Sequence, residues 1–431
     1  MKLIIRVSLV LVVTFSLGAI TLQEAISRGL EANSQVLTAG YKRDSAKEDA
    51  KIAFTGLLPH ASADGSYTRL DEVPVMTMPL EFGGMSIEMG KQNNYNLTLG
   101  VQQPIFTGGK IINGYRAARN GAKIQQENLR NQKSSTAVSI SEAYYGVVKA
   151  DLFGNTMQQA RKRMNGHLKV IEGMFTQGLI SRNNLLQTRV ASSEIDLMII
   201  QSRNAVKASR LVLNFLLDFP ADTTLELDPD TAQIEVSWAS LEWGLDYGLK
   251  YRPDIKMLEY GLDAAKAGKL IALGAFSPDV VGVFNWSYKR PNQALEEEFY
   301  DSWNVTLAAS WSLISFGERI FGVRKANSQR REAEETLDMV HRAAEMEIRI
   351  FYNNLEEKTQ SLDVSRIKLE QANEGYRVAE AEFSTGMAVN TDVLDANSTL
   401  IQAQAEYISA VVNLKLAVVQ YEAAISSLLK E

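Results

Sequence analysis

The chain has 431 residues, 45% of them hydrophobic and 22% charged, with a formal net charge of −6 and no cysteine. That balance belongs to a folded protein with a sizeable core and not to a disordered one. The acidic charge argues against nucleic acid as a partner, and the missing cysteine excludes disulfides, thiol chemistry and lipid attachment at an N-terminal cysteine.

At the N-terminus, Lys2 and Arg6 frame the start of an apolar run from Val7 to Leu17, and small residues end it at Ala19. This is the pattern of a secretory signal over residues 1–19. The run is too short to cross a bilayer as a helix, and no later stretch reaches the roughly 18–20 apolar residues that a membrane helix needs.

The segment from Thr21 to Phe54 is predicted helical, with Thr21 as N-cap and Glu24 completing a capping box. Pro59 opens an extended region. Strands are expected over about 59–70 ("ASADGSYTR") and 93–106 ("NNYNLTLGVQQPIF"). In the second, Tyr95, Leu97, Leu99 and Val101 alternate with Asn96, Thr98, Gly100 and Gln102. A long helix follows, then the turn "FTQGLISRNNLLQT" with its tip at about 177–183, then a shorter helix. Residues 218–239 are rich in Asp, Thr and Pro, lack a helical period and read as a mixed linker.

After the linker the order repeats. Subtracting 208 carries Phe383, Gly386, Val393 and Leu394 onto Phe175, Gly178, Leu185 and Leu186, and Tyr352 onto Tyr144. One gap-free offset over so long a stretch marks a duplication, with repeats over 20–217 and 240–431. Ser240 is the expected N-cap of the second leading helix, which Pro253 breaks or kinks. Strands are expected at about 279–290 and 301–316, and a second tip at about 385–391. From Ile348, steps of seven reach Leu355, Leu362, Leu369, Tyr376 and Phe383; beyond the turn, Val393, Leu400, Tyr407, Leu414, Tyr421 and Leu428 keep the same period. Heptads on both sides of a tight turn predict an antiparallel coiled-coil hairpin.

The strands place the protein. Trp303, Val305, Leu307, Ala309, Trp311 and Leu313 share one face, and Phe284, Trp286 and Tyr288 share another. Runs near ten residues, apolar outward and polar inward, match outer-membrane barrel strands. Four strands cannot close such a barrel, and an open edge in lipid is forbidden. Either the strands are soluble or several chains pool them; two chains make a filled barrel, three a conduit.

Together these features resemble the outer-membrane efflux protein family, the TolC-like trimeric export channels. The resemblance is carried by "TLQEAISRGLEANSQV", "LLPHASADGSYTR", "LGVQQPIFTGGKIINGYRAA", "SEAYYGVV" and "TGMAVNTDVLDA". It implies a mainly α fold with a small membrane β part, and a homotrimer whose twelve-stranded β-barrel continues into a twelve-helix periplasmic α-barrel. It implies an exit duct of a tripartite efflux or type I secretion system, seated in outer-membrane lipid. Its partners would be a periplasmic adaptor and an inner-membrane transporter of RND, ABC or MFS type. Two other classes stay open: a periplasmic coiled-coil adaptor, which would carry one hairpin per chain and a soluble β domain, and an enzyme or lytic protein, for which Asp392 and Asp395 are the only plausible catalytic pair.

The same resemblance assigns the tips at Gly178-Leu179 and Gly386-Met387 to adaptor docking. It places Asp392 and Asp395, which share a helix face, at the narrowed pore entrance. Phe383 and Ala388 stand where the family has a Tyr and an Arg in the network holding that entrance shut. Arg182, Asn183 and Asn184 are the candidates facing it, with Arg182 reaching Asp392 as one possible closing contact. No catalytic constellation, cofactor or metal set is read. His60, His167 and His341 are far apart and expected on the polar surface. "TGGK" at 107–110 lacks the rest of a phosphate loop, and Glu296 to Glu298 read as a solvated loop.

Overall fold

The computed structural model describes residues 19–77, 83–84, 86–228, 237–292 and 296–429. The expected signal, apart from Ala19, and residues 229–236 of the linker lie outside them. Each repeat is built from two short helices, strands, a very long helix and a shorter one. In the first these are α1 (Leu22–Ala32), α2 (Ser34–Thr55), β1 (His60–Arg69), β2 (Val75–Thr77), β3 (Ser86–Glu88), β4 (Asn93–Phe106), α3 (Lys110–Thr176) and α4 (Arg182–Leu216). The second has α5 (Leu241–Tyr251), α6 (Pro253–Gly274), β5 (Asp279–Arg290), β6 (Tyr300–Ser310), α7 (Glu318–Ser384) and α8 (Asn390–Ala424). Among the described residues no helix is long and apolar enough to cross a membrane.

The repeats agree residue for residue. Helices α3 and α7 both have 67 residues, and α4 and α8 both have 35; all four boundaries are offset by 208. The pairs α1 and α5, with 11 residues each, and α2 and α6, with 22 each, are offset by 219. The change of offset falls between the strands, where the first repeat carries the extra β2–β3 hairpin, a pairing the sequence reading did not anticipate.

Two breaks in the leading helices arise from different chemistry. Before Pro253, Arg252 is extended at φ −59°, ψ 129°, as the proline ring demands of its predecessor. In the first repeat Ser34 stands at the position of Pro253, and the single helix expected over Thr21–Phe54 is in fact two. Asn33 takes the same geometry at φ −64°, ψ 124°, and its Oδ1 accepts from the Gln35 amide at 2.9 Å to start α2. Both break residues then donate to the last carbonyl of a following helix: Asn33 Nδ2 to Leu216 at 3.4 Å and Arg252 Nη1 to Ala424 at 3.1 Å. The capping box at Thr21 and Glu24 and the cap at Ser240 form as expected.

The chain divides into two compact units that cut across the repeats. The first, residues 1–39, 129–253 and 341–431, holds the heptad core. Ile348, Leu355, Leu362, Leu414 and Tyr421 are buried together there, each large apolar side chain contributing about 1.5–3 kcal/mol. Glycine admits the close approach of the leading helices. A Cβ on Gly29 would overlap Ile140 Cδ1, and one on Gly248 would overlap Ile348 Cδ1 at the matching position. The linker is pinned here too: the Tyr144 hydroxyl donates to the Asp228 carbonyl at 2.6 Å, with the Ile20 carbonyl oxygen 2.9 Å away as a shared acceptor.

The second unit, residues 40–128 and 254–340, contains one antiparallel sheet in the order β1-β4-β5-β6. Register is preserved between repeats: Asp64↔Thr98 in β1·β4 corresponds to Val283↔Thr306 in β5·β6. β6 ends at Ser310, and residues 311–315, expected within the strand, have no strand partner. On β4 the burial pattern is inverted relative to a soluble strand. Tyr95, Leu97, Leu99 and Val101 are exposed while Asn96, Thr98 and Gly100 are half-buried. Thr98 Oγ1 and Ser287 Oγ lie 3.3 Å apart on the polar face.

Replacing an ordinary helical glycine by alanine stabilises by about 0.4–1 kcal/mol, but overpacking costs about 1–3 kcal/mol. Gly248→Ala should therefore lower the unfolding midpoint, whereas Gly166→Ala, with open space around it, should not. Thermal unfolding of the detergent-solubilised protein checks the contrast.

Candidate functional site: the two helical tips

Both long helices end in the same turn. Gly178 and Gly386 adopt φ +74° and +76°, the left-handed region that glycine enters without strain. The Gly178 amide donates to the Phe175 carbonyl at 2.9 Å, and the Leu179 amide to Met174 at 2.9 Å. In the second repeat Gly386 donates to Phe383 at 3.1 Å and Met387 to Glu382 at 2.9 Å. This is the Schellman arrangement, in which carbonyls orphaned at the helix end find donors. The residue after each glycine stands free: Leu179 is 65% and Met387 76% exposed.

The following helices begin differently. Ser181 caps α4, its side chain accepting from the Asn184 amide. Val389 has no such acceptor, so the Asp392 carboxylate reaches back to the Val389 amide at 2.9 Å. Asp392 thus closes half a capping box, and among the described residues no ion pair or hydrogen bond joins it to Arg182. Arg182 instead lines a surface hollow of about 490 Å³ with Glu172, Phe175 and Arg189. Asp395 is exposed and shares an open groove of about 500 Å³ with Asn183, whose other walls include Met164, Leu186, Val190 and Ile401. Asn184 is half-buried and takes part through its backbone.

A buried polar network joins the two hairpins beside these tips, and the sequence reading missed it. His167, expected on the surface, is only 5% exposed. Its Nε2 lies 2.8 Å from Asn390 Oδ1, which also accepts from the Thr188 hydroxyl at 3.2 Å. That oxygen can only accept, so the contact needs Nε2–H as its donor. Asn390 Nδ2 donates to the Asn184 carbonyl at 3.3 Å. The ring of Phe383 packs edge-on against His167 at 5.1 Å. One turn away Arg163 lies over Tyr376 and donates to Asn397. Burial lowers the Arg163 pKa and raises that of the Tyr376 hydroxyl. A signal for the network does exist in the sequence. At the repeat offset, His167 and Asn390 match Gly375 and Arg182, a polar pair in place of two residues that could not form it.

His60 is exposed and His341 half-buried, and among the described residues no cluster of His, Asp or Glu could hold a metal ion. A buried donor or acceptor left without its partner costs about 1–3 kcal/mol, so Asn390→Ala, which strands the His167 donor, and His167→Ala, which takes one donor from Asn390 Oδ1, should each destabilise by that order. A double-mutant cycle on the unfolding midpoint should show coupling of at least about 0.5 kcal/mol; additive losses would mean the contact is incidental.

Comparison with known proteins agrees with this architecture. The chain is 22% identical over 402 residues to the alkaline protease secretion protein AprF of Pseudomonas aeruginosa, covering 91% of this chain and 81% of that protein. It is 21% identical over 414 residues to the outer membrane protein TolC of Escherichia coli, covering 92% and 80%. Among solved structures, the CmeC outer membrane channel of Campylobacter jejuni superposes with a TM-score of 0.79 at 17% identity, over 95% of this chain and 87% of that one. The family model described as outer membrane efflux protein matches residues 25–217 and 246–429, one segment per repeat. The chain belongs to the outer membrane efflux protein family.

Proposed function

We propose that this protein is a homotrimeric exit duct and not an enzyme. It would passively carry substrates from an inner-membrane transporter of RND, ABC or MFS type, through a periplasmic adaptor, across the outer membrane. The observation that carries the reading is the pattern on β4, with Tyr95, Leu97, Leu99 and Val101 exposed and the alternating Asn96, Thr98 and Gly100 only half-buried, which suits a strand with lipid on one face and a water-filled lumen on the other. Four strands with two free edges need further strands to close, and three copies give twelve. The names of AprF and TolC, a protease secretion protein and an outer membrane protein, agree with such a role. Envelope fractionation tests the placement: the protein should stay with the outer membrane after a salt wash, and release by salt would point to the adaptor reading.

Leu179 and Met387 are apolar, exposed and held at fixed turns, so they are suited to be covered by a partner. Leu179→Asp combined with Met387→Asp should reduce pump-dependent export at least about tenfold, while the detergent-solubilised mass stays three times that of the mature chain. Unimpaired export with intact trimer would remove the docking role. A monomeric or dimeric mass in the unmodified protein would remove the trimer.

Asp392 and Asp395 would place six carboxylates around the entrance of a trimer, an acidic ring that admits cations. Asp392 also caps its helix, a contribution of about 0.3–1 kcal/mol. Asparagine at 392 keeps an acceptor for the Val389 amide and removes only the charge. Asp392→Asn with Asp395→Asn should therefore lower cation selectivity in planar bilayers with little change in unfolding. Unchanged selectivity would leave both residues as helix-start groups.

A further inference from the structure

The duplication determines more than the number of strands. Inside one chain, β4 of the first repeat pairs with β5 of the second, through Leu97↔Tyr288, Thr98↔Ser287, Leu99↔Trp286 and Gly100↔Asn285. The remaining strands, β1 and β6, are the free edges of the sheet, and every residue of both is exposed. β6 is the copy of β4 and β1 is the copy of β5, since strand register is preserved between repeats without a slip. The one interface present is thus a template for the one missing.

We infer that β6 pairs with β1 of the next copy in the register that the β4·β5 pairing dictates: Val305 opposite Arg69, Thr306 opposite Thr68, Leu307 opposite Tyr67 and Ala308 opposite Ser66. The inference rests on the ring of identical copies proposed above and specifies its seam. Moving β4 forward by 208 and β5 back by 219 produces these pairs directly.

Two further observations support the register. Side-chain kinds carry over at the two central pairs, although Leu97 and Tyr288 become Val305 and Arg69. The hydroxyl pair Thr98 and Ser287, 3.3 Å apart within the chain, becomes Thr306 and Thr68. The aliphatic–aromatic pair Leu99 and Trp286 becomes Leu307 and Tyr67, and both pairs fall on the apolar face. Shifting the seam by one residue would put Leu307 opposite Thr68 and turn apolar side chains onto the polar face, because the side-chain period is two.

Strand direction agrees as well. An antiparallel sheet with an even number of strands has edges running in opposite directions. Copies sharing one orientation across a membrane therefore meet β6 to β1 as antiparallel neighbours, whereas two like edges would run parallel. Such a head-to-tail contact closes into a ring.

The chain has no cysteine, so introduced pairs report without background. Thr306→Cys with Thr68→Cys should oxidise to interchain disulfides in outer membranes, giving species of two and three chains on non-reducing gels. Ala308→Cys with Ser66→Cys follows the same register and serves if the first variant assembles poorly. The displaced pair Thr306→Cys with Ser66→Cys, on the same face but two residues off, should give at least tenfold less. Thr98→Cys with Ser287→Cys is the intrachain control and should become protected from thiol labelling without any interchain product. A displaced pair that cross-links better than the in-register pairs overturns the register and leaves the ring standing. Absence of interchain product from every pair, with the intrachain control closed, overturns the edge contact and counts against the ring itself.

Discussion

Lipid offers no hydrogen bonds, so every backbone amide and carbonyl within it must find a partner in the protein. The four-stranded sheet satisfies this at three interfaces and leaves two edges unsatisfied. Much else follows from that shortfall. Apolar side chains that would be a liability on a soluble sheet, such as Trp303, Val305 and Leu307, each about two-thirds exposed, are in the proposed barrel the surface that the membrane would cover. In the trimer proposed above, the two edges would find their partners on neighbouring copies.

How much of this was legible without coordinates depended on which forces were local. Heptad spacing, the capping residues Thr21 and Ser240, and the break at Pro253 are carried by nearest-neighbour chemistry and could be read directly. Asn33 could not. Asparagine sits in helices at modest cost, and nothing nearby announces that its side chain will start a new helix and reach Leu216. The end of β6 escaped for the opposite reason: alternation continues through Trp311 and Leu313 although the pairing has stopped.

At the tips, glycines, exposed apolar residues and aspartates were visible as candidates, while the groups binding the hairpins together were not. The repeat offset marks His167 and Asn390 as departures from their counterparts, but nothing in it pairs two residues 223 positions apart. The capping role of Asp392 illustrates a second difficulty. One carboxylate can serve helix geometry and pore electrostatics at once, and its position alone does not separate the two.

The identical lengths of paired helices have a consequence for how such a chain can change. One residue added to a 67-residue helix would advance everything beyond it by about 1.5 Å and rotate it by roughly 100°. The glycine turn and its exposed leucine would then face another way, out of step with the counterpart in the second repeat. An insertion in one helix would therefore break the match between repeats, whereas the connection between strands already absorbs the extra hairpin of the first repeat. Helix length in this fold behaves as a calibrated dimension, and the difference in length between the repeats is taken up between β1 and β4.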